Sequence, residues 1–187
     1  MKKIMFSDAF CLTQAVLSGT KTMTRRLLKD NVPLGNWEET KKHLPYKVGE
    51  VVAIAQSYKE VYPNADFEMI GDKFMTESAG WSNKMFVRAD LMPRHIEFTD
   101  VKVERLQDIS DKECLREGVK RASIGFYAEG VKVKDCEKEA HRETASGCLK
   151  LFPFPRQAFA SLIDKISGNG TWKNNPFVAA YSFELID

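Results

Sequence analysis

Four segments of the chain carry apolar residues in short runs or in alternation with polar residues, as strands do. They are residues 3–6, 51–55, 96–106 and 177–186. The third segment contains Asp100, and we expect one or two strands there with a break near that residue. Residues 84–89 are also strand-like. Threonines and basic residues alternate over residues 20–28, a pattern that fits a strand or an extended loop.

Helical signals occur near both ends of the chain and once between them. Apolar residues recur at helical spacing over residues 9–17. Ser110 and Glu113 have the spacing of a capping box, so we predict a short helix that begins there and ends at Gly118. Pro155 stands at the favoured first position of a final helix. Short strands with a few helices predict a barrel-like α+β architecture.

The organisation of the chain indicates one domain. A length of 187 residues is at the upper end of one ordinary domain, and we find no internal repeat or linker. We therefore predict a single domain over residues 1–187. Residues 29–47 are expected to form a surface excursion, residues 58–81 hairpins or loops, and the charged residues at about 120–150 an insertion.

Charge and hydropathy narrow the classes of partner. The formal net charge is +2, which neither demands nor excludes a nucleic acid, because a pocket for one nucleotide needs only a local cluster of cations. No apolar run approaches the ~20 residues that a membrane span requires. The opening MKKIMFSDAF lacks the apolar core of a signal peptide. We therefore expect a cytoplasmic protein with no membrane partner.

The cysteines leave two interpretations open. Cys11, Cys114, Cys136 and Cys148 show no Cys-x-x-Cys spacing and are expected to be free thiols. A zinc site remains an alternative, because Cys136, His141 and Cys148 lie in one stretch and Cys114 would supply a fourth ligand. Zinc sites usually show more closely spaced pairs. We therefore expect no metal and no cofactor.

Five segments of the sequence resemble the ASCH family. Residues 17–26, LSGTKTMTRR, resemble its signature: a helix end, a glycine, Lys-Thr and a downstream arginine. Four more segments agree in order: YKVGEVV at 46–52, MPR at 92–94, VERLQDIS at 103–110 continuing to EGV at 117–119, and WKNNPFV at 172–178. The last three resemble the phage and prophage branch of the family. Residues 120–150 are not covered.

The resemblance implies a PUA-like small β-barrel with flanking helices and a cleft beside the Gly-Lys-Thr segment that contacts RNA or nucleosides. A bacterial ASCH branch with a similar first segment hydrolyses the acetyl amide of 4-acetylcytidine. That branch uses a lysine, a threonine three residues later, and a glutamate in the helix that follows a strand. The matching positions here are Lys21, Thr24 and Glu117, which are the predicted catalytic residues.

The chemistry of amide cleavage suits these residue types. An amide requires a nucleophile, a proton carrier and a group that stabilises the oxyanion. A lysine acts as the base for a threonine hydroxyl if burial or nearby positive charge lowers its pKa, and Glu117 would carry a proton or orient Lys21. Positions i and i+3 lie on opposite faces of a straight strand. Lys21 and Thr24 therefore converge only if the chain bends after Thr22.

Further residues are predicted to bind the substrate. They are Thr22, Arg25, Arg26, Arg94 and Trp172. Arg26 would hold an acyl oxygen or a phosphate with its planar fork, and Arg94 is a second anion-binding candidate. Trp172 and Tyr58 would stack a base. Each residue also has a structural interpretation: a solvated basic stretch, a strand-forming threonine, a surface ion pair or a core aromatic.

Three functions follow from this sequence. The first is an RNA- or nucleoside-binding ASCH module with a cleft at the Gly-Lys-Thr-x-Thr-Arg-Arg segment. The alternative is an amidohydrolase that acts on 4-acetylcytidine or a related acylated nucleoside through Lys21, Thr24 and Glu117. The third is a structural or protein-interaction role in a mobile element such as a prophage. The expected partner is RNA or a modified nucleoside.

Overall fold

The computed structural model describes residues 1–133 and 148–187. Its strands are β1 (Lys3–Ile4), β2 (Met23–Leu27), β3 (Val51–Ile54), β4 (Met69–Ile70), β5 (Lys73–Phe74), β6 (His95–Arg105), β7 (Lys120–Ala122), β8 (Gly125–Tyr127) and β9 (Phe177–Leu185). Its α-helices are α1 (Leu12–Leu17), α2 (Trp37–Lys42), α3 (Tyr58–Val61), α4 (Asp111–Arg116), α5 (Pro155–Ser167) and α6 (Thr171–Asn174). Short 3₁₀ helices connect several of these elements.

The main sheet has five strands in the order β1-β3-β6-β9-β2. β1 and β3 are parallel, and the other pairs are antiparallel. The register of β6 shifts between Phe98 and Asp100, which confirms the predicted break. Arg26 Nη2 on the edge strand β2 donates to the carbonyl of Met5, just after the opposite edge strand β1, at 2.7 Å. The sheet is therefore strongly curved, and the predicted α+β class with flanking helices is confirmed.

Alternation along β9 divides the packing of the sheet into two faces. Tyr181 and Phe183 belong to a cluster on the concave face, where they contact Phe98. Val178 lies on the other face, in a cluster with Phe159 of α5. This division is what strand geometry requires, because successive side chains point to opposite sides. The helix α5 is thus held against the convex face of β9.

The predicted helix boundaries are confirmed where local signals set them. The Ser110 hydroxyl accepts from the Glu113 N–H, and the Glu113 carboxylate accepts from the Ser110 N–H, so the capping box forms. α4 ends at Arg116, and Gly118 follows with a φ of 106°. Pro155 is the first residue of α5. These signals act within one helical turn, so the sequence carries them completely.

The strand predicted at residues 84–89 is wrong. A 3₁₀ helix, Lys84–Phe86, occupies the first half of that segment. Lys3 Nζ donates to the carbonyls of Met85 at 2.7 Å and Val87 at 2.6 Å. A side chain therefore satisfies backbone acceptors that a neighbouring strand would otherwise use.

Three other segments differ from their predicted structures. The first helix is divided at Cys11, whose φ of 51° separates a 3₁₀ turn from α1. The surface excursion at 29–47 contains α2. Part of the predicted insertion at 120–150 forms the β7–β8 hairpin. Residues 134–147 lie outside the described part of the chain.

Among the described cysteines, Cys148 contradicts the free-thiol prediction. Cys11 and Cys114 are free, whereas Cys148 is disulfide-bonded. Pairing depends on distance in the fold, which spacing along the chain does not give. Over residues 1–133 and 148–187, no group of three or more potential ligands is arranged to hold a metal ion, and Cys136 and His141 of the proposed zinc alternative lie outside these ranges. Within the same ranges, no helix has the length and hydropathy needed to span a membrane.

Candidate functional site

A cavity of about 740 Å³ lies between β2, the segment after β1, and α5. Its polar lining comes from the segment singled out in the sequence and from the end of α4: Lys21, Thr24, Arg25, Arg26 and Glu117. Its apolar lining comes mainly from α5 and from Met5, Phe6, Leu12, Leu27 and Met85. All three residues predicted to be catalytic therefore line one concave surface.

Lys21 is buried at the inner end of this cavity, with 2% of its surface exposed. Its ammonium donates to Glu117 Oε2 at 2.8 Å, to the Glu117 carbonyl at 2.7 Å and to the Met23 carbonyl at 2.7 Å. These bonds use all three of its donors. The lysine is thus held rigidly, and its charge is matched by a buried carboxylate.

The backbone before β2 accounts for the position of Lys21. The Lys21 N–H donates to the Ala15 carbonyl at 2.8 Å and the Thr22 N–H to the Arg116 carbonyl at 3.0 Å. The strand itself begins only at Met23. Lys21 therefore leaves the chain ahead of the pleated segment, and its side chain lies over the Phe6 ring at 6.0 Å. The predicted departure from a straight strand is present, and it allows Lys21 and Thr24 to line the same cavity.

Glu117 reaches Lys21 because α4 ends there. Glu117 is the C-terminal cap of the helix, and Gly118 continues with a φ in the left-handed region that a side chain would strain. A Cβ at Gly118 would also meet Leu12 Cδ2 at 2.9 Å. The glycine thus permits a close turn that directs the Glu117 side chain inward, where 4% of the residue is exposed.

The protonation of Lys21 is set by two opposing effects. Burial lowers the pKa of Lys21 below its usual value, and the charge and hydrogen bond of Glu117 partly offset that decrease. Arg26 and Arg25 also lower the pKa of Lys21. Neutral lysine is therefore more accessible here than on a protein surface.

Thr24 presents its hydroxyl to the cavity. The residue is buried, and its strand position is opposite Tyr181 of β9. Its hydroxyl makes no hydrogen bond within residues 1–133 and 148–187, and none joins it directly to Lys21. It is therefore available to a ligand, whereas Lys21 must exchange one of its present acceptors to reach it.

Arg25 is used differently from its predicted role. Its side chain is fully buried and pairs with Glu104 at 2.6 Å, with Glu113 at 3.1 Å and with Glu117 at 3.1 Å. It was predicted to bind substrate, but carboxylates already occupy its guanidinium nitrogens. Arg25 instead fixes Glu117 from the side opposite Lys21.

Glu113 should make folding sensitive to acid. Burial raises the pKa of this carboxyl, but hydrogen bonds from Lys102 and Ser110 and the charge of Arg25 outweigh burial and lower the pKa from 4.5 to about 2. The folded state therefore binds fewer protons than the unfolded state between these values. The stabilisation is present above about pH 4.5 and is lost as the pH falls towards 2. In urea unfolding series from pH 6 to 2, Glu113→Gln should lose less stability on acidification than the wild type does. The control Glu77→Gln, at an exposed position, should lose as much stability as the wild type. If Glu113→Gln also loses as much as the wild type, Glu113 is not the source of the acid sensitivity.

Arg26 carries an unused donor beside the cavity. One of its nitrogens is bound to the Met5 carbonyl, and the guanidinium lies 5.7 Å from the centre of the Phe6 ring. Within the described part of the chain, its Nε is buried and has no hydrogen-bond partner, and its guanidinium forms no ion pair. Arg26 is thus a cation of the cavity lining that no described carboxylate neutralises.

Three residues predicted to bind substrate lie outside the cavity lining. The Thr22 hydroxyl accepts from Arg116 Nε at 3.0 Å. Arg94 precedes β6 and lines none of this cavity. Trp172 packs edge-on against Phe159 at 6.1 Å, which corresponds to its alternative interpretation as a core aromatic. Tyr58 is likewise buried, and its hydroxyl accepts from the Arg88 N–H at 2.8 Å. Strand and helix periodicity specify the face on which a side chain lies, but not the neighbour that covers that side chain.

The sequence interpretation missed the apolar wall of the site. Phe159, Leu162, Ile163 and Ile166 of α5 line the cavity. Their helical spacing alone indicates only an apolar face of the helix. A stripe that contacts both a core and a cavity has the same sequence signal as one that contacts only a core.

Comparisons with known proteins give structural likeness only. No family model matches the chain, and no curated protein matches it. A crystal structure of a protein from Enterococcus faecalis, assigned to the family model DUF984, is 15% identical, with a TM-score of 0.45 over 100% of this chain and 81% of that one. The crystal structure of an ASCH domain from Lactobacillus crispatus is 15% identical, with a TM-score of 0.35 over 93% and 69%. What the protein does must therefore follow from the chemistry of its residues.

Proposed function

We propose that this protein binds a modified nucleoside, free or within RNA, in the cavity between β2 and α5. The observation that carries the proposal is a buried ion pair, Lys21 with Glu117, beside the Thr24 hydroxyl in one cavity. That hydroxyl has no hydrogen-bond partner among the described residues. The volume of about 740 Å³ lies within the range of small-molecule sites. A few polar groups within an apolar lining are typical of such sites.

The shape and chemistry of the cavity suit a single base better than a duplex. Its wall on α5 is apolar, and Phe6 supplies an aromatic ring on the side of β1. The guanidinium of Arg26, which lines the cavity, offers donors to a carbonyl oxygen of a base or an acyl group. The five ordered segments that resemble the ASCH family, including those like its phage and prophage branch, support the same interpretation. A duplex would need a broad cationic face.

Amide hydrolysis is the second candidate, favoured by the contact between Lys21 and Glu117 and the adjacent Thr24. In this proposal neutral Lys21 accepts the proton of Thr24 as its hydroxyl oxygen attacks the acyl carbon of 4-acetylcytidine. The same proton passes to the departing amine as the carbon–nitrogen bond breaks. Water then cleaves the threonine ester, which releases acetate and restores the hydroxyl. Glu117 orients Lys21, and the guanidinium of Arg26, which lines the cavity, stabilises the oxyanion. Release of cytidine and acetate, followed by chromatography, tests this candidate.

A change at the mouth of the cavity should separate ligand binding from folding. Ile166 lines the cavity and is 42% exposed, so Ile166→Trp should fill the entrance without disturbing the core. We expect the affinity for 4-acetylcytidine, measured by titration calorimetry on Thr24→Val to prevent turnover, to fall by roughly tenfold or more, since the bulkier ring excludes the ligand. The matched control is Ile124→Trp, because Ile124 is 79% exposed and lies outside the lining. Equal affinities of the two variants would contradict the proposed location.

A further inference from the structure

Four cations lie over aromatic rings around the N-terminal end of α5, outside the cavity lining. They are Arg105 over Phe177 at 3.8 Å, Arg121 over Phe126 at 5.4 Å, Lys150 over Phe152 at 5.0 Å and Arg156 over Trp172 at 5.9 Å. We call these four cations, together with the rings that they cover, the cationic strip. A ring face holds a cation in a defined position at little cost in solvation. The strip therefore presents fixed positive charges rather than freely moving ones.

Hydrogen bonds join each of the two halves of the strip. Arg105 and Arg156 form the first half, and both bond to the segments around Gln107 and Trp172. Arg156 donates to the Gln107 carbonyl, and Gln107 Nε2 donates to the Trp172 carbonyl at 2.7 Å. Arg105 donates to the Asn175 carbonyl at 3.1 Å, three residues beyond Trp172.

The other half is joined by backbone pairing. Phe126 and Phe152 exchange two backbone hydrogen bonds at 2.8 Å. Phe126, Phe152 and Trp172 also pack on one hydrophobic cluster that contains Phe159. The rings of both halves therefore pack on the same hydrophobic cluster near the start of α5.

None of the four cations of the strip forms an ion pair with a carboxylate of residues 1–133 or 148–187. Other exposed cations do, such as Lys42 with Glu39 at 2.6 Å and Arg88 with Asp90 at 2.5 Å. Asp108 is exposed and close in sequence to Arg105, yet it pairs with none of them. The strip thus retains positive potential in a protein whose net charge is only +2.

An exposed aromatic ring lies within the strip. Phe154 is 60% exposed and is the residue before the first turn of α5, two positions from Arg156. An aromatic side chain in solvent beside fixed cations is the combination that binds unpaired bases and phosphates. A polyanion without bases would gain nothing from the ring.

We infer that the cationic strip binds single-stranded RNA, with its four cations on phosphates and Phe154 stacked on a base. The inference deepens the proposed function, because RNA on the strip would present a nucleoside to the cavity. Trp172 of the strip packs against Phe159, which also lines the cavity. Single strands fit better than duplexes, because the strip offers a ring on which an unpaired base can stack.

The test is fluorescence anisotropy with a labelled single-stranded RNA of about 12 nucleotides of mixed sequence, titrated at several salt concentrations. The strip variant combines Arg105→Gln, Arg121→Gln and Arg156→Gln. Its control combines Lys29→Gln, Lys59→Gln and Lys73→Gln, which removes the same charge from exposed positions elsewhere. The strip variant should bind at least about tenfold more weakly, and its slope of log affinity against log salt should fall by about 2, at ~0.7 per lost contact.

A second pair of variants tests the stacking. Phe154→Ala should weaken RNA binding roughly tenfold, whereas Phe67→Ala, which removes another exposed ring, should not. Thermal unfolding verifies that each variant is folded. Equal weakening in strip and control variants, or no salt-dependent RNA binding by the wild type, would overturn the inference. If polyglutamate competes with RNA and Phe154→Ala leaves RNA binding unchanged, the strip binds an acidic protein instead. That result would also overturn the inference.

Free 4-acetylcytidine separates this inference from the proposed function. The strip variant should bind the free nucleoside as the wild type does, because none of its three positions lines the cavity. If the wild type binds the nucleoside but no RNA, the strip inference alone fails. If RNA binds through the strip but no nucleoside enters the cavity, the cavity proposal alone fails.

Discussion

Thr24→Val should lower the rate of 4-acetylcytidine hydrolysis by about 10³-fold or more while the protein remains folded. Removing the nucleophile of a hydrolase stops the reaction at its first step. The Thr24 hydroxyl makes no hydrogen bond in the described chain, and valine has nearly the same shape. The free energy of unfolding should therefore change by less than about 0.5 kcal/mol. Product release, followed by chromatography, and urea unfolding are the two measurements.

The matched control for this change is Thr22→Val. Thr22 is two residues away, but its hydroxyl bonds to Arg116 outside the cavity. Activity should stay within about threefold of the wild type, although the lost hydrogen bond costs roughly 1 kcal/mol of stability. If both variants keep full activity, or lose it equally, Thr24 is not the nucleophile. Binding of the nucleoside without turnover would leave the first proposal standing.

Arg25→Met should destabilise the protein by about 3–5 kcal/mol, the largest stability effect that we expect. Arg25 is the common partner of Glu104, Glu113 and Glu117, and its side chain is fully buried. Methionine fills much of the same volume but leaves these carboxylates without their shared cation. Such a loss is costly because buried charges cannot recover their hydration. Urea unfolding at pH 7 measures the effect.

The control and the pH dependence of Arg25→Met sharpen this prediction. Arg88→Met removes an exposed pair with Asp90 and should leave the unfolding midpoint unchanged. Because the charge of Arg25 helps to lower the pKa of Glu113, the stability difference between the wild type and the variant should shrink as the pH falls from about 4.5 towards 2. A loss below about 1 kcal/mol, or one that is independent of pH, would show that the network is not a stabilising unit.

Local signals made much of the fold predictable. The capping box of Ser110 and Glu113, the proline that begins α5 and the break near Asp100 each act over a few residues, and each is present. The strand that was predicted at 84–89 is absent because of a contact between residues that are distant in sequence. Its backbone carbonyls are taken by Lys3, about 80 residues earlier in the chain, and no local pattern records that contact.

The site was predictable only in part, for a related reason. The resemblance to the ASCH family suggested Lys21, Thr24 and Glu117, which meet in one cavity although Glu117 is distant in sequence. The sequence does not indicate which acids surround Arg25, since they come from β6 and α4.

The most direct test of the nucleoside site is a crystal structure of Thr24→Val soaked with 4-acetylcytidine. We predict density for the nucleoside between β2 and α5, with an acyl or base oxygen within hydrogen-bond distance of the Arg26 guanidinium and the acyl carbon beside residue 24. Density for the ligand elsewhere, or an empty cavity at saturating nucleoside, would contradict the account.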